Sequence, residues 1–194
     1  VIACISTPVL VSGVEVGASS AWRTLDDLGV TVTVEIPREG FEQALDDVAE
    51  AAHEYAQVGG PDIQAKFRTG APEVWAWPDE AELARFIHGC VRRRLPFKLT
   101  GGLHHVLRAD RVDGPQHGLL NVLTAVDAAA AGALPDQIAA CLAERSPGPL
   151  TDVLLGMTSE EVAEVRAVFR AYGCCTVTDP IGELVELGLL KEEH

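Results

Sequence analysis

The residues best equipped for chemistry stand together in Phe97-Lys98-Leu99-Thr100-Gly101-Gly102-Leu103-His104-His105. A lysine inside an apolar run, then two glycines, then paired histidines, is how a binding loop follows a strand in an α/β protein. A shorter version stands upstream at Ile63-Gln64-Ala65-Lys66-Phe67-Arg68-Thr69-Gly70. Side chains alternate along a strand, so Lys66 and Arg68 share one face of theirs, and Lys98 and Thr100 share one face of the other. A buried cation without a partner is costly. Either carboxylates such as Glu35 pair with these cations in an internal network, or the cations hold a phosphate or carboxylate ligand. Gly70, Gly101 and Gly102 would then add backbone N–H donors by allowing close approach. Repetition at neighbouring strand ends favours the ligand. Lys98, flanked by Phe97 and Leu99, could also form a Schiff base with a carbonyl substrate if desolvation lowered its pKa.

His104, His105 and His117 make three of the six histidines in the chain. Imidazole suits proton transfer near neutral pH. The same three could ligate a metal, with Glu35, Asp179 or Cys174 completing the shell, but their spacing matches no dedicated zinc motif. No cofactor is therefore expected. His104 and His105 rank above His117, whose place at a helix start suits a capping histidine. His53, His88 and His194 read as solvated. Asn121, in an apolar helix turn, could orient a histidine, bind a ligand or sit partly exposed. Cys174-Cys175 offer a thiol nucleophile, although buried structural cysteine is the commoner case. Arg92-Arg93-Arg94 complements a helix dipole. Trp75 and Trp77 could lid a site or pack in a core.

The elements that must position these residues recur with a period near thirty. Glu35, Lys66 and Lys98 are spaced by 31 and 32 residues, the length of one βα unit. Expected strands run over Val1–Ser6, Val30–Ile36 and Ile63–Arg68, with a fourth starting at Pro96. A Pro- and Gly-bearing loop covers Thr7–Gly17. Helices are expected over Ala21–Leu28 up to Gly29, from Phe41 to Gly59, and from an Asp79 cap to Arg94. After His105 the rhythm changes. A polar connection over Val106–Gln116 turns at Asp113-Gly114-Pro115. Helices follow from Gly118 to Ala131, from Pro135 to Ala143, after Ser146-Pro147-Gly148-Pro149, and from a Thr158 or Ser159 cap to Tyr172. Cys174–Thr178 reads as a last strand and Ile181–Leu190 as a terminal helix. The fold class is α/β: parallel βα repeats, TIM-barrel-like with closed and incomplete barrels both open, and a helical C-terminal segment. The whole chain 1–194 reads as one domain, with regular βα repeats over 1–105 and mainly helix with one strand over 106–194.

Composition narrows the partners. The 194 residues are 47% hydrophobic and 23% charged, with a net charge of −14. So acidic a surface repels nucleic acid and anionic membranes, and makes a local cationic cluster informative. Five cysteines without C-x-x-C spacing fit reduced thiols and a cytoplasmic protein. The apolar opening is broken by Pro8 and too short to span a bilayer. Its first residue is valine, as in a trimmed chain or a piece of a longer one.

Five motifs carry a resemblance. Lys66-Phe67-Arg68-Thr69-Gly70, Phe97 to His105, His117-Gly118-Leu119-Leu120-Asn121, Gly173 to Pro180 and Leu184 to Leu190 match a set of patterns: K-x-R-x-G, F-K-x-T-x-G-L-H-H, H-G-x-x-N, G-x-C-x-x-x-x-P and L-x-x-L-G-L-L. In these the chain resembles a group of uncharacterised bacterial α/β proteins whose members extend further at the N-terminus. The resemblance implies no activity. From the residues themselves the expected function is an enzyme on a small anionic metabolite, with lyase, isomerase and transferase chemistry all open. Lys98, His104 and His105 would be catalytic. Lys66, Arg68, Thr100, Gly101, Gly102, His117, Asn121 and Glu35 would bind substrate. The rival is a non-catalytic accessory or scaffold protein with a structural Lys/Arg/Glu network. An incomplete barrel would need a homo-oligomer to cover its strand edges.

Overall fold

Alternation between apolar and polar residues builds the strands of this computed structural model, which describes residues 10–18, 20–70, 77–112 and 114–191. Val1–Ser6, Ser19, Trp75, Asp113 and His194, on which expectations were placed, lie outside the described residues. The chain forms two compact units, residues 1–66 and 67–194.

In the first unit, β1 (Gly13–Gly17), β2 (Thr31–Glu35) and the greater part of β3 (Ile63–Arg68) run parallel in that spatial order. Val32, Val34, Ile36, Ile63 and Ala65 point to the buried side, where Leu45 and Val48 of α1 (Phe41–Val58) are also fully buried. Thr33, Glu35, Gln64 and Lys66 alternate onto the other face. Helix α1 begins after Gly40 and stops at Gly59; both glycines adopt left-handed backbone, which a side chain resists.

Two expectations are corrected here. The stretch Thr7–Gly17 was expected to be loop, yet its end is β1, where Val14 and Val16 flank Glu15 in strand alternation. The helix expected over Ala21–Leu28 is a 3-10 helix, Ser20–Leu28, held by the burial of Trp22 and an ion pair from Arg23 to Asp47 at 2.6 Å.

The second unit takes in the end of β3, then α2 (Glu80–Arg92), β4 (Phe97–Thr100), β5 (Ala109–Arg111), β6 (Gly114–Gln116), α3 (Leu119–Ala130), α4 (Pro135–Ala143), α5 (Pro147–Gly156), α6 (Ser159–Val168), β7 (Phe169–Gly173) and α7 (Thr178–Glu186). Strand β4 pairs with β7 in parallel, and among the described residues the parallel sheet is unclosed. The expected cap of α2 is present: Asp79 accepts from the Glu82 backbone N–H at 2.7 Å, and the Glu82 carboxylate bonds back to the Asp79 N–H. A row of rings fixes the interior. Phe67 stacks on Phe86 with centroids 4.7 Å apart, Phe86 meets Phe97 edge-on at 5.2 Å, and Phe97 stacks on Phe169 at 5.4 Å.

That row explains the main correction. The helix expected to reach Tyr172 ends at Val168, and the last strand is Phe169–Gly173 rather than Cys174–Thr178. Burying Phe169 against Phe97 outweighs a further turn of helix, and extended backbone at Phe169 aligns the strand with β4. Of the residues expected as that strand, Thr178 opens α7, three residues before the expected start of the helix. The connection Val106–Gln116 holds an antiparallel hairpin, β5 with β6, and Gly114 and Pro115, expected in its turn, are instead paired residues of β6.

Candidate functional site

Lys66 lies on the polar face of the first unit. Its side chain is 8% exposed and its Nζ bonds Glu35 Oε2 at 2.9 Å and Glu15 Oε2 at 3.0 Å. Strand register produces the clamp. Glu35 is directly opposite Lys66, and Glu15 is one rung back on β1, opposite Thr33, whose hydroxyl accepts from Gln64 at 2.8 Å. Burial disfavours the ammonium, but its bonds to Glu35 and Glu15 outweigh that and hold the Lys66 pKa above 10.5. Pairing with Glu35 was an open sequence alternative. Glu15 was missed, and its signal was the Val14-Glu15-Val16 alternation.

In the second unit, Arg68, Lys98 and Thr100 stand half-buried at or near the carboxyl ends of their strands. The glycines beside them serve close backbone approach. A Cβ on Gly70 would collide with the Gly101 carbonyl oxygen and with the Trp77 ring, and one on Gly101 would collide with the Gly70 carbonyl oxygen. One on Gly102 would lie 2.6 Å from Thr69 Oγ1. The Thr69 N–H donates to Thr100 O at 2.8 Å, and the Gly101 N–H donates to Gly173 O at 3.2 Å. The Gly101 amide is thus engaged within the sheet.

Beyond the glycines the chain passes through Leu103, a buried residue at φ 58°, in the left-handed region leucine seldom adopts. His104 and His105 follow, both half-buried. His105 Nδ1 is 2.5 Å from Glu183 Oε1, and Glu183 Oε2 accepts from the Val106 N–H at 2.7 Å. One carboxylate on α7 therefore fixes both the ring and the backbone that carries it. Helix α7 is held in turn where Leu184, Leu187 and Leu189 pack against buried Val106, Leu120 and Leu150. Glu183 escaped the sequence reading because only the apolar side of its helix carried a pattern.

His117 and Asn121 occupy other places. His117 is 2% exposed, and its Nε2 donates to the Pro78 carbonyl at 2.8 Å, while its buried Nδ1 lacks a hydrogen-bond partner. Burial lowers its pKa from 6.5, partly offset by the Pro78 bond. Asn121, fully buried, donates from Nδ2 to Cys141 O at 2.9 Å and to Glu144 O at 2.7 Å; its Oδ1 accepts from the Arg108 N–H at 2.8 Å. A Cβ on Gly118 would strike the Leu107 backbone and come within 2.5 Å of Asn121 Oδ1. The His117-Gly118-x-x-Asn121 motif is thereby explained as a joint locking α3 to the loop before it and to the end of α4. Arg108 adds an ion pair from Nε to Glu80 Oε1 at 2.6 Å.

Among the described residues no group of three His, Cys, Asp or Glu is placed to hold a metal. The metal set His104/His105/His117 does not form, since His117 faces Pro78 and His105 faces Glu183. Cys90 is a buried thiol pushed well above 9.0 by burial, and Cys141, Cys174 and Cys175 are also unbridged. His53 and His88 ride on α1 and α2 as expected. No described helix is long and apolar enough to cross a membrane.

No family model matches the chain, and no solved structure does. A probable nicotinate-nucleotide adenylyltransferase of Moorella thermoacetica is 41% identical over 69 residues, 34% of this chain and 30% of that protein. The chain thus spans under a third of the length of that relative.

Proposed function

We propose that the protein is an enzyme that binds a small anionic metabolite and moves a proton on it through His105. The observation that carries this reading is the carboxylate–imidazole pair, Glu183 Oε1 to His105 Nδ1 at 2.5 Å. A carboxylate on Nδ1 sets the tautomer, placing the hydrogen there and leaving the Nε2 lone pair to accept a proton from a bound substrate. Its negative charge then stabilises the imidazolium that forms. Two further features support the reading. Left-handed backbone at buried Leu103 costs on the order of 1–3 kcal/mol, and such strain collects at functional sites. Arg68 and Thr100 end their strands and Lys98 lies two residues before the end of β4, near where ligands gather in parallel α/β folds. In this reading they hold the substrate's charge, while Lys66 keeps the strands in register. The Moorella relative is named for a nucleotide substrate, an anion of the same class, which puts mononucleotides first among the ligands to try.

A non-catalytic reading draws on the clamp at Lys66 and the joint at Asn121, where polar residues singled out by sequence are engaged by the protein itself. Thermal melting against mononucleotides, phosphorylated sugars, keto acids and dicarboxylates decides. A ligand at 100 times its Kd adds about 2.7 kcal/mol, or roughly 5–11 °C in a chain of this size. We expect one chemical class to raise the midpoint, Lys98→Ala to abolish the rise, and His105→Gln to keep binding while abolishing turnover of that ligand. A flat panel from well-folded protein would overturn the enzyme reading in favour of the scaffold.

A further inference from the structure

The geometry points to an extended acidic peptide segment of a partner protein as the occupant of the cleft along the outer edge of β7, a surface separate from the His105 pair. Three observations converge there. First, β7 pairs with β4 on one side only among the described residues. The carbonyl of Gly173 faces β4, where it accepts from Gly101 N at 3.2 Å. Because successive peptide groups of a strand face opposite edges, those of Tyr172 face outward, where an added strand would meet them. Second, a cleft of about 460 Å³ runs beside this edge, with Leu119 and Leu123 of α3, Phe169 and Tyr172 of β7, and Arg166 and Arg170 among its lining residues. Leu119 and Phe169 are each 8% exposed and offer an apolar floor for a side chain. Third, Arg166 and Arg170 are exposed at this cleft on a chain whose net charge is −14.

Charge chooses the occupant. Arg170 on β7 and Arg166 on the neighbouring α6 repel a cationic strand. On so acidic a protein they also form a local attraction for a partner of negative charge, steering its approach. Backbone pairing to β7 would supply affinity without regard to sequence. Arg166 and Arg170 would select Glu or Asp, and the Leu119–Leu123–Phe169 floor would select an apolar residue. A segment alternating acidic and aliphatic residues satisfies all three demands at once.

The test uses the whole chain and a fluorescein-labelled, end-blocked peptide of about eight residues alternating glutamate and valine, read by anisotropy. Three comparison probes accompany it: the same peptide with lysine for glutamate, one N-methylated at alternate peptide nitrogens, and glutarate as a small competitor. We expect the acidic peptide to bind and the lysine peptide not to. Arg166→Glu with Arg170→Glu should weaken binding about ten-fold or more, and so should N-methylation. Arg170 Nε also donates to Ala167 O at 3.3 Å, so the far-UV spectrum and urea midpoint of the double variant are recorded beside its binding, and weaker binding counts for the proposal only where both match the wild type. Failure of the acidic peptide to bind overturns the proposal, as does equal binding of the N-methylated peptide or indifference to the two substitutions. Displacement by glutarate at the free peptide's own concentration would reassign the cleft to small anions. Self-association that depends on the two arginines, seen by sedimentation velocity, would reassign it to a second copy of this chain.

Discussion

Replacing Lys66 by methionine tests the clamp that holds β1, β2 and β3 together. Methionine keeps most of the length of the side chain and removes the ammonium. Two charge-assisted hydrogen bonds disappear, each worth about 1.5–3 kcal/mol. The Glu15 side chain is 44% exposed and the Glu35 side chain 19% exposed, so solvent screens the first bond far more than the second. The expected loss at pH 7 is about 3 kcal/mol, within the range for breaking a buried pair from one side. Its pH dependence distinguishes the clamp from simple packing. Without the cation two carboxylates face each other, so protonation of one relieves the variant, and its deficit should shrink as pH falls toward about 4. In the parent protein the raised Lys66 pKa means the clamp stabilises fully below 10.5 and is lost as pH rises through the folded value. Urea unfolding at both pH values, followed by tryptophan fluorescence and far-UV circular dichroism, measures this. A loss below about 1 kcal/mol, the level of an exposed pair, would refute the reasoning; so would a loss equal at the two pH values.

Two further outcomes follow from the second unit. Asn121→Ala leaves Glu144 O and Arg108 N without their partner, while Cys141 O keeps the Glu144 N–H at 3.4 Å, so urea unfolding should show a loss of roughly 3 kcal/mol, with about one to three expected per unsatisfied buried group. The same substitution should also accelerate amide exchange at Arg108. His117 resists protonation because it is buried, so the stability it confers is complete above pH 6.5 and drains as pH falls below. His117→Gln should flatten the urea midpoint between pH 7.5 and 5.5, and an unchanged slope would assign that pH dependence elsewhere.

Sequence punctuation located what local chemistry controls. Asp79 before α2, Gly59 after α1 and Pro135 at α4 each marked a boundary that the structure keeps within a residue or two. The alternation in Ile63–Arg68 fixed which face Lys66 shares, and strand register then supplied Glu35. Long-range packing set the rest. Nothing local says that Phe169 belongs beside Phe97, so the end of α6 and the place of β7 were misread by several residues. Gly70 and Gly101 looked like ligand cradles because glycine has the same signature wherever two backbones come close. Glu183 and Glu15 are ordinary surface acids until the fold brings His105 and Lys66 to them.

The pairing of β4 with β7 also sets an order of events at the ribosome. Phe97 is aligned with Phe169, 72 residues later in the chain. At translation speeds of about 5–20 residues per second, that interval lasts roughly 4–14 s. During it the nascent β4 edge has no partner from β7, and the ring of Phe97 lacks its cover. Helices α3 to α6 are made in this interval and can form from contacts close in sequence, whereas the sheet must wait for the last strand. The nascent second unit thus carries an exposed strand edge through most of its synthesis, which is when a holding chaperone would have most to bind.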